Sequence, residues 1–229
     1  MNAQLGTTAW HRKHAAESSG GISSEGIYSA VERIIVENGL RGVVLDYGAG
    51  IGNLTRRLFN LGHFDRISAA DILGAPSDLL GTVDWIKQDL NLAIPDHDGL
   101  FDTIIAVEVI EHLENPRFMI REFFRLLRNG GTAIVSTPNN ESWRSILALL
   151  VRGHFVGFND TCYPAHITAL VRKDLSRIFV EAGFETPQFR FTNEGGIPAK
   201  PNITWQSISF GFLRGLRFSD NVIAVAKKS

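Results

Sequence analysis

The sequence predicts an α/β protein built on a doubly wound sheet, and three observations predict it. Short apolar runs suited to buried strands alternate with stretches whose apolar residues recur at helical spacing. The first run, Val43-Val44-Leu45, passes at once into Gly48, Gly50 and Gly52. Successive runs end at or beside an acid, giving Asp46, Asp71, Asp89 and Glu108.

Each element has its own signal. Ser23 or Ser24 can cap a helix that places Ile27, Val31, Ile34 and Ile35 on one face before Asn38-Gly39 stops it. After the first strand and its glycine loop, Leu54, Leu58 and Leu61 continue at helical spacing. Arg66 to Ala70, Val83 to Ile86 and Phe101 to Val107 read as the next strands. Asn115 as N-cap and Pro116 at the first helical position open a helix with Met119, Phe123, Leu126 and Leu127 on its buried side, and Asn129-Gly130-Gly131 is expected to close it. Its other face, with Arg121, Arg125 and Arg128, reads as solvated surface. Thr132 to Ser136 predicts a strand, Asp174 to Ala182 a helix stopped at Gly183, and Gln188 to Thr192 and Val222 to Ala226 two further strands.

Composition narrows the function. The 229 residues can bury one sizeable core, and a single domain over 1–229 is expected: an N-terminal helical segment 1–40, a core 41–138, a lid insert 139–170, and a C-terminal part 171–229 containing a second insert, 193–219. Apolar runs are short and the first residues are polar, so neither a membrane span nor a secretion signal is visible and a cytoplasmic location is expected. A lone Cys162 excludes an internal disulfide and paired-thiol chemistry. A net charge of −1 gives no global reason to bind nucleic acid, so a small-molecule partner is the default. The charge is uneven, however: Asp46 to Asn115 holds four basic and twelve acidic residues, whereas Arg117 to Arg177 holds nine basic and four acidic.

The loop after the first strand reads Asp46-Tyr47-Gly48-Ala49-Gly50-Ile51-Gly52. A dinucleotide loop of the Gly-x-Gly-x-x-Gly type would need glycine at position 53, where Asn53 stands, which argues against a dehydrogenase. Asp-x-Gly-x-Gly-x-Gly resembles instead the first motif of the class I S-adenosylmethionine-dependent methyltransferases. Asp71 in a strand end after the loop, Gln88-Asp89-Leu90, Phe101 to Pro116 and Leu127 to Pro138 extend the resemblance in order, although Arg128-Asn129 departs from the family's Leu-x-Pro-Gly-Gly segment. The resemblance implies a seven-stranded, mostly parallel, Rossmann-like sheet with its last strand antiparallel. It implies S-adenosylmethionine as cofactor, held by Asp46, Tyr47, Gly48, Ala49, Gly50 and Gly52, by Asp71 and Ile72 at the ribose, by Asp89 and Leu90 at the adenine, and by Glu108. An acidic rim also suits a sulfonium cation.

On the acceptor side, Glu108-Val109-Ile110-Glu111-His112 follows the fourth strand, and His166 follows the first insert. Methyl transfer to a hydroxyl needs help in losing a proton. Glu108, Glu111, His112 and His166 can hold a divalent ion (Mg, Mn, Fe or Zn), as the resemblance to ubiquinone-pathway and small-RNA 2′-O-methylating branches suggests; alternatively His112 or His166 is the general base with Glu111 orienting it, or the run is structural. In the first insert Trp143, Arg144, Arg152 and Tyr163 are candidates for binding the acceptor, although Trp143, Ile146, Leu147 and Leu150 also read as an amphipathic helix packed on the sheet. Tyr163 to Leu170 resembles methyltransferases of polysaccharide and glycoconjugate assembly, which implies a carbohydrate acceptor. A phenol or quinone precursor, an RNA end, and a vestigial cofactor-binding regulator are the alternatives. The segment Ile203 to Leu216 suits a second lid, a homodimer surface or a membrane-surface helix.

Overall fold

A computed structural model describes residue 10, residues 12–17, 20–21 and 23–229. Seven strands form one sheet in the order β3-β2-β1-β4-β5-β9-β6, and β7 with β8 makes a separate hairpin. The strands are β1 Val43–Tyr47, β2 Arg66–Asp71, β3 Asp84–Lys87, β4 Phe101–Val107, β5 Leu127–Pro138, β6 Gln188–Phe191, β7 Gly196–Ile197, β8 Lys200–Thr204 and β9 Asn221–Lys227. Only β9 runs against its neighbours β5 and β6; the other pairings in this sheet are parallel.

Both faces of the sheet are covered, which is why its strands are apolar runs rather than alternations. Successive side chains point to opposite sides. Leu45, Tyr47, Ile104, Ala106, Ala133 and Val135 join one apolar layer, with Phe123 and Phe179 from the helices Pro116–Leu126 (α3) and Arg172–Ala182 (α5). Val44, Ile105, Val107, Ile134 and Ile223 join the other, under the helices Glu25–Glu37 (α1) and Asn53–Leu61 (α2). Strand order reverses between β1 and β4, so the crevice beyond their carboxyl ends is where such a sheet binds its ligand.

Three expectations change. Asn129-Gly130-Gly131 does not close α3: the helix stops at Leu126, Leu127 is already extended and pairs with Phe101, and the glycines lie inside β5. A Cβ on Gly131 would sit 2.9 Å from the Arg128 carbonyl and 3.1 Å from that of Asp102, so the glycine admits the irregularity in the β4–β5 pairing. Arg125 is not simply solvated. It bonds the buried Glu122 and the Ile94 carbonyl, while Glu122 accepts the Ile94 N–H, and these groups tie the loop before β4 to α3. The helix Trp143–Arg152 (α4) forms, but it buries Ser145 and Ala148, leaving Trp143, Leu147 and Leu150 exposed instead of packed on the sheet.

Candidate active site

A cleft of about 720 Å3 opens at the reversal point. Asp46 lines it and is buried; its Oδ2 accepts the Thr55 hydroxyl at 2.6 Å, and burial pushes its pKa up to about 7. The glycine loop is pinned to the next strand, since Gly48 and Ala49 both donate their N–H to the Ala70 carbonyl. Gly48 needs its left-handed φ of 85°, and a Cβ there would lie 2.4 Å from Val109. Asp71 then receives the loop: Oδ2 accepts the Gly50 N–H and Oδ1 the Leu73 N–H, each at 2.8 Å. Burial raises its pKa, and these backbone donors oppose the rise.

At the far rim Asp89 accepts both nitrogens of Asn91 and meets Arg12 at 2.9 Å. Arg12 also grips Glu114 with Nε and Nη2, and these bonds hold its guanidinium pKa above the usual value. A helical turn over residues 12–17 thereby lies along the cleft, and Gly21 sits against Gly50, where a Cβ on Gly50 would come within 2.8 Å of it. Arg12, His14 and Glu114 are cleft residues that sequence reasoning missed. Nothing local marks Arg12 or Glu114, because their role arises from a contact across 102 residues of chain.

Of the cofactor residues expected from sequence, Asp46, Gly48, Ala49, Gly50, Asp71, Ile72, Asp89, Leu90 and Glu108 line the cleft. Tyr47 and Gly52 do not. Tyr47 points into the opposite layer, packs edge-on against Phe123 and donates its hydroxyl to the Leu90 carbonyl, and burial pushes its pKa up. Gly52 caps α2 with φ of 82° and lies against Leu79.

Beyond β4 the chain makes a strained turn at Glu108, whose φ is 54°. Ser136 Oγ accepts the Glu108 N–H and donates back to Oε1, while Asn221 donates to Oε2. Burial carries this acid up to about 7. Glu111 is fully buried: Oε2 accepts the Thr137 hydroxyl, and Oε1 has no hydrogen-bond partner among the described residues. Burial, and then the charge of Glu108, raise its pKa well above the usual range. His112 lines the cleft with Nδ1 at 2.8 Å from the Ala165 carbonyl, and His166 has Nδ1 at 2.6 Å from the Gly157 carbonyl. A carbonyl can only accept, so each Nδ1 carries the hydrogen and each Nε2 keeps a lone pair. Burial, with the neighbouring His166, brings His112 down to about 4, and burial lowers His166.

Ligand atoms of Glu111, His112 and His166 all lie within 4.8 Å of one another; Glu108 is outside that group, engaged by Ser136 and Asn221. An orphaned buried carboxyl oxygen beside two imidazole lone pairs, each ring held by a backbone acceptor, is a donor set that fits a divalent cation. Of the acceptor candidates, Tyr163 lines the cleft, whereas Trp143, Arg144 and Arg152 do not. Arg144 is bound to Asp220, Arg217 lies over the Trp143 ring, and Arg152 ends α4 with its neighbours exposed.

The fold and this cleft define a protein of the class I S-adenosylmethionine-dependent methyltransferase architecture. The family model described as "Methyltransferase domain" matches residues 23–188, and the chain belongs to that family. It is 25% identical over 168 residues to the ubiquinone biosynthesis O-methyltransferase of Psychrobacter arcticus, across 69% of this chain and 65% of that one. The enzyme of the same name from Xanthomonas oryzae is 31% identical over 144 residues, across 56% and 60%. The chain thus spans under two thirds of the length of these relatives. A methyltransferase of Archaeoglobus fulgidus superposes with a TM-score of 0.61 at 18% identity, over 93% of this chain and 97% of that one. The Burkholderia thailandensis 1,6-didemethyltoxoflavin N1-methyltransferase, solved with its acceptor and S-adenosylhomocysteine, gives 0.59 at 17% identity, over 90% and 79%. No helix among the described residues is long and apolar enough to cross a membrane.

Proposed function

We propose that the protein transfers the methyl group of S-adenosylmethionine to a hydroxyl of a small-molecule acceptor, and that the acceptor is a phenol or quinone precursor rather than a sugar. One observation carries the reading: His112 and His166, which line one end of a cleft whose other end has the cofactor-binding pattern, bring their Nε2 lone pairs beside the unpartnered Oε1 of buried Glu111. A phenol fits better than a sugar because Arg144 and Arg152, which the carbohydrate reading placed at the acceptor, lie outside the cleft, whereas Tyr163, Pro164 and Ile167 offer it an apolar wall. The relatives named for ubiquinone biosynthesis point the same way.

Bound S-adenosylmethionine supplies an electrophilic methyl group on a sulfonium. Asp71 and Asp89 orient the cofactor's nucleoside, and Asp46, held by the Thr55 hydroxyl, lines the cleft beside the glycine loop. His112 accepts the hydroxyl proton at Nε2 as the oxygen attacks in line, its Nδ1–H fixed on Ala165. In a second reading Glu111, His112 and His166 would hold a divalent ion, which would lower the pKa of an acceptor hydroxyl. The orphaned Glu111 oxygen favours it.

The test is S-adenosylhomocysteine release over catechols, phenols, sugars and sugar nucleotides, with EDTA and with added Mg, Mn or Zn. Turnover on phenols is expected. Turnover confined to sugars would refute the acceptor class, and an EDTA-insensitive rate would assign the proton to histidine alone.

A further inference from the structure

Asn91 links the two ends of the cleft across its rim. It lies two residues past Asp89 and lines the cleft. Its backbone N–H and its Nδ2 both donate to Asp89 Oδ1, at 3.0 and 3.2 Å, and its Oδ1 accepts the Glu114 N–H at 3.0 Å. These partners fix the direction of the amide, because a carboxylate accepts and a backbone N–H donates, so nitrogen faces Asp89 and oxygen faces Glu114. An aspartate at this position could not donate, and a leucine could do neither.

Each end of the link is anchored. On the Asp89 side, Leu92 donates its N–H to the Asp89 carbonyl at 2.8 Å and Tyr47 donates its hydroxyl to the Leu90 carbonyl at 2.9 Å, which closes the loop and pins it to β1. On the other side, Glu114 lies two residues past His112. The turn between them is held from the first insert, where Ile167 and Thr168 donate their N–H groups to the Glu111 carbonyl and the Thr168 hydroxyl donates to the Leu113 carbonyl. The segment that carries His112 is thus clamped between the insert and Asn91. Arg12 spans the same gap from Asp89 to the Glu114 carboxylate, but through long, flexible side chains. Asn91 has a short side chain and reaches the Glu114 backbone, so whatever reorients its amide acts on the chain beside His112.

We propose, on the functional reading given above, that Asn91 is a positioning residue: a nucleoside bound at Asp89 fixes the Asn91 amide, which through the Glu114 N–H sets the aim of His112 Nε2 at the acceptor hydroxyl. The base must stand within hydrogen-bond reach of the proton it takes, and a misplacement of about 1 Å costs up to roughly 100-fold in rate. Cofactor binding therefore completes the geometry of the base.

The full chain is titrated with S-adenosylhomocysteine while NMR follows the ring Cε1–H signal of His112, assigned by its loss in His112→Ala, and calorimetry gives the affinity. In the native chain the signal should shift as the ligand saturates. Asn91→Ala keeps the backbone N–H bond to Asp89, so Kd should rise by no more than about fivefold, while the His112 shift at saturation should fall to about half of native or less. Asn91→Asp keeps an acceptor for the Glu114 N–H but sets a like charge beside Asp89, so the shift should return at saturation while Kd rises by about tenfold. A merely structural role would not divide the two readouts in this way. With an acceptor that turns over, Asn91→Ala should lower kcat by about tenfold and leave the KM for S-adenosylmethionine within about fivefold. A native chain that does not bind S-adenosylhomocysteine would overturn the proposed function and the coupling with it. A native chain that binds it with the His112 signal unmoved, an alanine variant whose His112 responds as the native one does, or a response lost from both variants alike would overturn the coupling and leave that function standing.

Discussion

Replacing Asp71 with alanine separates its two roles. The carboxylate accepts the Gly50 and Leu73 N–H groups, each at 2.8 Å, and is buried. Truncation orphans both donors, at about 1–3 kcal/mol each where water does not replace the oxygen, so the folded state should lose about 2–6 kcal/mol. If the remaining lone pairs hold the ribose hydroxyls, cofactor binding loses a further 1–3 kcal/mol or so, roughly a fivefold to 150-fold rise in Kd. Calorimetric titration with S-adenosylhomocysteine measures the second loss and urea denaturation the first. Asp71→Asn keeps one acceptor oxygen and should fall between native and alanine in both, and it carries the test if the alanine variant fails to fold. A folded Asp71→Ala chain that binds S-adenosylhomocysteine within about twofold of native would refute the assignment.

Three further predictions concern Asp46, His112 and Arg12. Folding raises the Asp46 pKa from 3.8 to about 7, so the folded chain holds this proton more tightly; its contribution favours folding below about pH 4 and is lost as pH climbs to 7. The span of about three decades is worth up to roughly 4 kcal/mol, and Asp46→Asn should flatten that part of the stability profile; urea melts of the two proteins running parallel from pH 4 to 8 would exclude it. His112→Ala should lower turnover by about 100-fold or more while leaving S-adenosylhomocysteine affinity within about threefold, and a fully active variant would remove His112 from the chemistry. Arg12→Ala breaks the ion pairs to Asp89 and Glu114, worth about 1 kcal/mol at this exposure, and should speed both cofactor association and release by about fivefold in stopped flow; unchanged rates would show that the residue 12–17 turn does not limit exchange.

The strands and the cofactor loop were legible because their signals are local. An acid at a strand end, glycines in the next few positions and apolar spacing across one helix each reside within about ten residues. Residues that converge from far apart were legible only through resemblance, as for His166, or not at all, as for Arg12, Glu114 and Asn221. Helical spacing in α4 correctly announced a helix but not which way it faces: Ser145 and Ala148 point inward because small side chains let the helix sit close, and the leucines turn out. Tyr47 failed for a related reason, since strand side chains alternate and the neighbour of a cleft residue points into the opposite layer. The glycine pair at 130–131 misled because a glycine pair marks a helix stop and a strand irregularity equally well.

Hydroxyl methylation beside His112, His166 and Glu111 is tested most directly by incubating the protein with isotopically methyl-labelled S-adenosylmethionine and a catechol or phenol panel, and locating the label in the product by NMR. The label is expected on a phenolic oxygen, and lost with His112→Ala. A label on nitrogen or carbon, or a product that forms equally well without His112, would contradict it.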